Sequence, residues 1–258
     1  MIDIELYQKN LAFWEDAWAR VKKANTNVTD VLDYIPEIPL VFKEHDCKRI
    51  LDIACGSGWL SFFLNEQGFE VVGVDISASA IRLANEVVVE RKLNTVQFIQ
   101  ADMFAMDFPE NSFDGILINA CFEHLDYDRG AEFLQMIKKY LKPDGIMFGV
   151  FDKVASGKRG SYEVLEDGSH QYNDEYRDGM LLRYYNDEEL EFLLQETNWQ
   201  VISNRKNKHE SRIVIAKNIR PVSKQSFDVL VAQKKVATAR NASVDFGDNS
   251  DFQNKSTK

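Results

Sequence analysis

The chain alternates between short apolar runs and amphipathic segments from about residue 48 onwards. Apolar runs of four to eight residues bounded by turn signals are typical of buried strands, whereas apolar positions three or four residues apart are typical of helices. Alternating strands and helices favour a parallel sheet with right-handed crossovers. The pattern predicts strands at 48–53, 70–74, 95–100, 113–118 and 145–151, and helices at 58–67, 77–92 and 128–141.

The segments before this alternation differ from it. Residues 3–23 carry large apolar side chains at helical spacing and predict an amphipathic helix. Residues 28–43 are mixed, and Pro36 and Pro39 are expected to break or kink any helix there. The apolar stripe of the first helix consists of Tyr7, Leu11, Trp14, Trp18 and Val21.

The alternation stops at residues 152–185 and resumes with a helix that starts at 186–189. Two further strands are expected near 199–206 and 211–217. Residues 241–258 are rich in Asn, Ser, Asp, Lys and Gln. We expect this segment to be disordered, because it cannot bury enough apolar surface to offset its ordering entropy.

The most informative chemistry lies at the ends of the first two predicted strands. Residues 50–58 run from a buried strand into a glycine turn, and Asp75 ends the next apolar run. Glycine at 56 and 58 would let the backbone approach a ligand closely. A carboxylate at 75 can accept two hydrogen bonds from a ribose diol. This arrangement is typical of a site for a nucleoside-bearing cofactor at the carboxyl edge of a parallel sheet.

The spacing of these residues bears on which nucleoside binds. A dinucleotide motif has a third Gly or Ala where this chain has Ser61. Asp52 lies four residues before Gly56, and the arrangement Asp-x-x-x-Gly-x-Gly resembles the first motif of class I S-adenosylmethionine (SAM) methyltransferases. Further segments resemble later motifs of that family in the same order, and the resemblance covers roughly residues 48–152. These segments are Phe98–Asp102, Ser112–Ile118 and Leu141–Gly145.

The resemblance implies a Rossmann-like α/β fold and SAM as the cofactor. The sheet would be seven-stranded and mostly parallel, with helices on both faces and an antiparallel C-terminal strand. We expect a helical lid at 1–45, a SAM-binding domain at 46–218 with a substrate-cap insertion at 152–185, and a largely disordered tail at 219–258. The expected cofactor-binding residues are Trp14, Asp52, Ala54, Gly56, Ser57, Gly58, Asp75, Ile76, Ala101, Asp102, Met103 and Asn119.

Each of these contacts has a simpler structural alternative that the sequence leaves open. Asp75 could bind the ribose or cap the following helix. Asp102 could bind the adenine amino group or serve a turn, and Met103 could flank the adenine or fill the core. Asp52 could reach the methionine end or anchor the loop. The backbone at Asn119 is where the family commonly meets the methionyl ammonium.

The sequence identifies substrate-binding residues less clearly than cofactor-binding ones. Methyl transfer from SAM mainly requires alignment of the reactants and the exclusion of water. His124 and Asp152 follow the fourth and fifth strands and are the candidates for a catalytic base. Tyr162 and Arg183, in the insertion, are candidates to contact a substrate and to pair with an anionic group. Alternatively, the insertion is a solvated hairpin that turns at 166–169.

The composition of the chain limits the kinds of partner that it is expected to bind. The formal net charge of −10 argues against nucleic acid as the main substrate, since phosphate binding needs a basic surface. The N-terminus lacks a signal-peptide pattern, and no apolar run is long enough to span a bilayer. Three scattered cysteines without CxxC spacing suggest a reducing compartment and no metal site.

We therefore predict a cytoplasmic SAM-dependent methyltransferase, monomeric or homodimeric, that acts on an O, N or S atom of a small molecule. It is expected to bind neither nucleic acid nor a membrane. A non-catalytic SAM-binding regulatory protein and a protein methyltransferase remain open. An NAD(P)-dependent oxidoreductase is disfavoured, because the chain lacks a Tyr-x-x-x-Lys motif.

Overall fold

The computed structural model describes residues 4–26, 32–152 and 160–219. All of these belong to one compact unit, which extends to Arg220. The predicted disordered tail lies outside the described residues except for Ile219, and so do residues 153–159 of the predicted insertion.

The helices and strands follow the predicted order. The helices are α1 (Ile4–Ala19), α2 (Glu37–Glu44), α3 (Trp59–Glu66), α4 (Ala78–Arg91), α5 (Tyr127–Ile137) and α6 (Asp187–Glu196). The strands are β1 (Arg49–Ile53), β2 (Glu70–Asp75), β3 (Val96–Gln100), β4 (Phe113–Asn119), β5 (Leu141–Phe151), β6 (Tyr162–Val164), β7 (His170–Tyr172), β8 (Leu181–Leu182), β9 (Trp199–Lys206) and β10 (Arg212–Asn218).

Seven strands form one sheet in the order β3-β2-β1-β4-β5-β10-β9. The first five strands are parallel to one another, and β10 is antiparallel to both β5 and β9. This arrangement confirms the predicted Rossmann-like sheet with an antiparallel C-terminal strand. The strand order reverses between β1 and β4, and such a switch point is where open α/β sheets bind their ligands.

Side chains alternate between the two faces of the sheet and build a core on each. Ile50 and Leu117 face the core that α2, α3 and α4 cover. Leu51 and Ile116 face the opposite core, which α5 and α6 cover. Helices therefore lie on both faces, as predicted, and only the ends of the strands remain for a site. Among the described residues, no helix has the length and apolar character that a membrane span requires.

The predicted helix ends are confirmed where capping residues mark them. The Ser77 side chain accepts the N–H of Ala80 at the start of α4. Asn186 and Glu189 form a reciprocal capping box at the start of α6. Gly68 follows α3 in the left-handed conformation, with a φ of 95°.

Two local predictions are wrong in detail. The helix predicted at 128–141 ends at Ile137, and β5 begins at Leu141 instead of at 145. Phe113 pairs with Leu141 and Gly115 with Ile146, so β5 advances five residues while β4 advances two. Residues 141–145, which were expected to precede the fifth strand, therefore lie within it and include a bulge.

Pro39 does not break α2, because it is the third residue of that helix. The first four N–H groups of a helix have no partner within it, so the missing N–H of a proline costs little there. The helix runs on to Glu44. The sequence prediction overlooked this positional tolerance.

The insertion forms a separate small sheet in the order β6-β7-β8. The predicted turn at 166–169 joins β6 to β7, which pair as an antiparallel hairpin. The carbonyl of Leu165 accepts the N–H of Gly168 within this turn, at 2.9 Å. The predicted hairpin is thus present in the described part of the insertion.

The glycine at the start of α3 generates a stability prediction. Gly58 has a φ of 87°, and a Cβ built on it would lie 2.4 Å from Cζ of Phe98. Gly68 has a φ of 95°, but a Cβ there would meet nothing within 4 Å. We expect Gly58→Ala to lower the free energy of unfolding by about 2–5 kcal/mol, since left-handed strain adds to overpacking.

The matched variant Gly68→Ala carries the strain alone and should cost about 1–2 kcal/mol. Urea unfolding followed by circular dichroism measures both variants. Equal losses in the two variants would show that the contact with Phe98 is not what requires a glycine at position 58.

Candidate functional site

A cavity, here named the edge cavity, lies at the carboxyl ends of β1, β2, β3 and β4. It encloses about 740 Å³ of empty space, part of which is open to solvent. The predicted site residues that line it are Trp14, Ala54, Gly56, Asp75, Ile76, Ala101, Asp102, Met103 and His124.

The Asp75 carboxylate joins two elements at the rim of the edge cavity. The N–H of Gly56 donates to its Oδ2 at 2.8 Å, and the N–H of Ser77 donates to its Oδ1 at 2.9 Å. Burial raises the pKa of this carboxyl. Each oxygen can accept a further hydrogen bond. Asp75 thus fixes the loop after β1 and the start of α4 while it still faces the cavity.

The loop after β1 has a strained backbone. Ala54 has a φ of 56° and Gly56 a φ of 55°, so both lie in the left-handed region. A Cβ on Gly56 would lie 2.5 Å from an atom of the Trp18 ring. The glycine at 56 is thus required by the contact with α1 as well as by its backbone conformation.

Three predicted cofactor residues lie behind this loop. Asp52 is 2% exposed and accepts a hydrogen bond from Oγ of Ser61 at 2.6 Å. Burial raises its pKa to about 7. Ser57 is buried, and Gly58 packs against Phe98. These three residues support the loop, which favours the anchoring alternative for Asp52.

Asp102 lies after β3 and is held from two sides. Its Oδ1 accepts the hydroxyl of Tyr7 at 2.7 Å and the N–H of Phe104 at 2.9 Å. The Arg129 guanidinium lies 3.7 Å from the centre of the Tyr7 ring. Asp102 therefore stabilises a turn, which was one of the two alternatives given from the sequence. It also binds α1.

The loop after β4 turns sharply at Ala120, which has a φ of 52° and lines the edge cavity. Strain of this kind clusters at ligand sites. The side chain of the preceding Asn119 is directed elsewhere, because its Oδ1 accepts the hydroxyl of Tyr34 at 2.8 Å. What this loop can offer the edge cavity is the backbone near Ala120.

His124 is a wall of the edge cavity. Its Nδ1 lies 2.9 Å from the carbonyl oxygen of Leu181. Because a carbonyl only accepts, the proton of the neutral ring is on Nδ1 and Nε2 carries a lone pair. The ring centre lies 4.6 Å from that of Trp14. Burial lowers the pKa of His124 to about 4, so the ring is neutral at physiological pH.

Helix α1 covers the edge cavity with one face and is bound to three parts of the fold. Asn10 donates to the carbonyl of His124 at 3.2 Å and accepts the N–H of Leu181 at 3.1 Å. Glu15 accepts the hydroxyls of Ser77 and Ser79 at 2.6 and 2.7 Å. These bonds hold the predicted lid against the end of the sheet.

The structure does not bring Arg183 and Tyr162 to the edge cavity. Arg183 is 5% exposed and forms ion pairs with Asp167 at 3.1 Å and Glu189 at 2.8 Å. It thereby ties the insertion to the start of α6. Tyr162 stacks on His170 within the small sheet, with ring centres 4.3 Å apart.

Asp152 follows β5 and lies near Glu123, whose pKa is raised by burial and also by the charge of Asp152. It is therefore beside the loop after β4. Among the described residues, no group of three or more His, Cys, Asp or Glu side chains is arranged to hold a metal ion.

The sequence interpretation missed Tyr7, Asn10 and Glu15 as site residues. Asn10 had a usable signal, because it is a polar residue on the apolar stripe of a predicted helix. Glu15 had none, since only the fold shows that its carboxylate meets the start of α4.

Comparisons with known proteins agree with this geometry. A family model for a methyltransferase domain matches residues 50–145. The putative methyltransferase YqeM of Bacillus subtilis is 34% identical over 131 residues, which are 49% of this chain and 50% of that protein. The chain spans about half the length of the curated relatives it matches.

Two solved structures share the fold. The PH0226 protein of Pyrococcus horikoshii has a TM-score of 0.65 at 23% identity, covering 79% of this chain and 98% of that one. The 1,6-didemethyltoxoflavin-N1-methyltransferase of Burkholderia thailandensis, solved with 1,6-didemethyltoxoflavin and S-adenosylhomocysteine, has a TM-score of 0.63 at 18% identity. That alignment covers 85% of this chain and 92% of the other.

The glycine loop, the acidic strand ends, the order of the seven strands and the matched domain all point to one family. Over residues 50–145, the chain matches a methyltransferase domain, and it is similar to class I SAM-dependent methyltransferases.

Proposed function

We propose that the chain binds SAM in the edge cavity and transfers its methyl group to a small molecule. The observation that carries this proposal is the position of Asp75. Its carboxylate lies at the end of β2, faces the cavity and is oriented by the backbone N–H groups of Gly56 and Ser77. A ribose diol can donate to the lone pairs that these bonds leave free.

The other walls suit the remaining parts of SAM. Ala101, Asp102 and Met103 follow β3 and line the cavity, and the soft thioether of Met103 suits the face of an adenine. Ile76 is placed to contact the same nucleoside. The backbone around Ala120, rather than the side chain of Asn119, is placed to meet the methionyl ammonium.

SAM, when bound, supplies a methyl group that is already activated by its positive sulfur. The chain then has to orient the reactants and exclude water. Trp14 and Trp18 of α1 lie over the cavity and can exclude water from it. Asp52, Ser57 and Gly58 keep the loop after β1 in place.

His124 is proposed to position the acceptor rather than to take its proton. A pKa of about 4 makes its imidazole a weak base at neutral pH. Its Nε2 lone pair can still accept a hydrogen bond from a group in the cavity. Small acceptors suit a cavity that α1 covers, and the net charge of −10 disfavours nucleic acid.

Calorimetric titration with SAM, S-adenosylhomocysteine (SAH), NADH and NADPH tests the cofactor. We expect the two sulfur nucleosides to bind in the micromolar range and the dinucleotides not to bind. Asp75→Asn should weaken SAH binding at least about tenfold, the equivalent of about 1.4 kcal/mol, because one ribose acceptor becomes a donor.

Asp114→Asn is the matched control. Asp114 also accepts two backbone N–H groups, those of Lys48 and Arg49, but it lies at the amino end of β4. We expect it to change SAH affinity less than twofold. If the two variants lost affinity equally, the effect would come from the fold and not from contact with the ribose.

The buried His124 predicts a loss of stability in acid. The unfolded imidazole takes up a proton near the ordinary histidine pKa of 6.5, whereas the folded one does so only near a pKa of about 4. Stability from this group is therefore present above about pH 7 and falls as the pH drops towards 4. Linkage gives a loss of about 2 kcal/mol between pH 7.5 and pH 5.

His124→Asn keeps an N–H donor for Leu181 and cannot titrate in this range. It should lose about 2 kcal/mol less than the wild type between these pH values, measured by urea unfolding. The control His209→Asn changes an exposed imidazole between β9 and β10 and should behave like the wild type. If His124→Asn lost as much stability as the wild type between these pH values, the His124 ring would not titrate as its burial requires.

A further inference from the structure

The His124 imidazole has one nitrogen bound to the chain and one that is open. Nδ1 lies 2.9 Å from the carbonyl oxygen of Leu181, and because a carbonyl only accepts, Nδ1 carries the proton. Nε2 therefore has a lone pair and points away from Leu181. None of the described residues donates to Nε2, and it is not one of the fully enclosed polar atoms that lack a partner. Since His124 lines the edge cavity, Nε2 is an acceptor that a ligand there can reach.

Asn10 of α1 fixes this arrangement. Its Nδ2 donates to the carbonyl of His124 at 3.2 Å, and its Oδ1 accepts the N–H of Leu181 at 3.1 Å. With the bond from Nδ1, the three residues form a closed cycle of hydrogen bonds, here named the Asn10 cycle, that joins α1, the turn after β4 and β8. Rotating the imidazole by a half turn would place a carbon against the Leu181 carbonyl and lose one bond. The Asn10 cycle thus sets both the tautomer of His124 and the direction of Nε2.

The Asn10 cycle is shielded from water. Asn10 is 3% exposed and Leu181 2%. The Trp14 ring, one turn further along α1, packs edge-on against the imidazole. Water competes little for a buried hydrogen bond, and breaking one leaves a buried polar group unpaired. The Asn10 cycle therefore holds the imidazole more firmly than the same bonds would at the surface.

His124 lies at the end of the edge cavity where the sulfur of SAM is expected. The strands meet the cavity in the order β3, β2, β1, β4. The proposed adenine and ribose contacts, at Asp102 and Asp75, follow β3 and β2 and place the nucleoside at that end. The methionyl part then extends past the loop after β1 towards Ala120 and His124, which follow β4. A substrate that meets the methyl group would lie against this second end.

The walls at this second end carry no charge. The described residues that line it are Leu11, Trp14, Cys121 and Leu125. Burial raises the pKa of the Cys121 thiol well above its ordinary value, so this group is uncharged. No lysine or arginine is among the described residues that line any part of the edge cavity.

These walls and the Nε2 lone pair select the chemistry of a ligand. A carboxylate or a thiolate would bring no donor, and it would face the lone pair without a cationic side chain nearby. An uncharged hydroxyl or N–H group can donate to Nε2 while its apolar body packs against Trp14 and Leu11. The second end of the cavity therefore suits an uncharged donor on an apolar body.

We propose that Nε2 of His124 accepts a hydrogen bond from an uncharged O–H or N–H group of the substrate, and that Asn10 is the positioning residue that presents Nε2 to this group. This inference rests on the proposed methyl transfer and specifies the substrate class and a further residue of the same site. Because Asn10 belongs to α1, Nε2 takes this orientation only when the lid is docked on the cavity.

The role of Asn10 is tested on the imidazole nitrogens of the full chain, labelled with nitrogen-15 in histidine and saturated with SAH at neutral pH. Long-range proton–nitrogen correlation spectra report the tautomer, and the signals of His124 are those that His124→Asn removes. We expect the wild type to carry its proton on Nδ1. Asn10→Leu removes both bonds of the side chain and should shift the tautomer ratio at least about fivefold towards Nε2–H.

Phenol and fluorobenzene, which are nearly the same shape, test the open nitrogen in the same spectra. We expect phenol to shift the Nε2 signal of His124 and to bind at least about fivefold more tightly than fluorobenzene, which has no donor. In Asn10→Leu this preference should fall below about twofold, because Nε2 no longer has a fixed direction and a fixed lone pair. Equal or absent binding of the two probes to the wild type would overturn the recognition of a donor by Nε2.

Asn207→Leu is the matched control. Asn207 is also a buried asparagine, 6% exposed, and its Oδ1 accepts two backbone N–H groups, those of His209 and Ser211. It is not among the residues that line the edge cavity. Asn207→Leu should keep the His124 tautomer and the preference for phenol. A folded Asn10→Leu that kept both as well would overturn the role of Asn10.

SAH affinity, measured first in every variant, separates the two proposals. SAH binding without a preference for phenol would overturn only this inference. Absence of SAH binding in the wild type would overturn the proposed function, and the substrate site with it. Far-ultraviolet circular dichroism and the melting temperature report whether Asn10→Leu is folded. If it is not, Asn10→Asp is the second variant, since it keeps the acceptor for Leu181 and loses the donor to His124.

Discussion

The bonds from the Gly56 and Ser77 backbone to the Asp75 carboxylate are the constraint on which the rest of the site depends. They bring together the loop after β1 and the start of α4, two segments that the sheet alone does not join. The position of that loop determines where Trp18 can pack on Gly56. The position of α4 determines where Glu15 can bind, so the placement of α1 follows from the same carboxylate.

Most of the sheet could be predicted because β1, β2, β4 and β5 are local apolar runs that end at recognisable turns. The cavity residues at strand ends, among them Asp75 and Asp102, were predictable for the same reason. The bulge in β5 was not, since it depends on the register with β4. Nor were the roles of Tyr7 and Asn10, whose partners lie 95 and 171 residues away.

Burial explains why the site contains groups with altered acidity. His124 and Glu123 are in one short turn, yet desolvation lowers the pKa of the first and raises that of the second. Both shifts favour the neutral form, as burial does for any ionisable group. Arg183 is a buried cation instead, and its charge is compensated by ion pairs with Asp167 and Glu189.

The attachment of α1 also has a consequence for folding during translation. Asn10 is synthesised 171 residues before one of its partners, Leu181. A contact of such high sequence separation forms late, because loop closure must precede it. During translation, α1 would therefore remain undocked, with Trp14 and Trp18 exposed to solvent or to chaperones. The cavity would close only when the small sheet had left the ribosome.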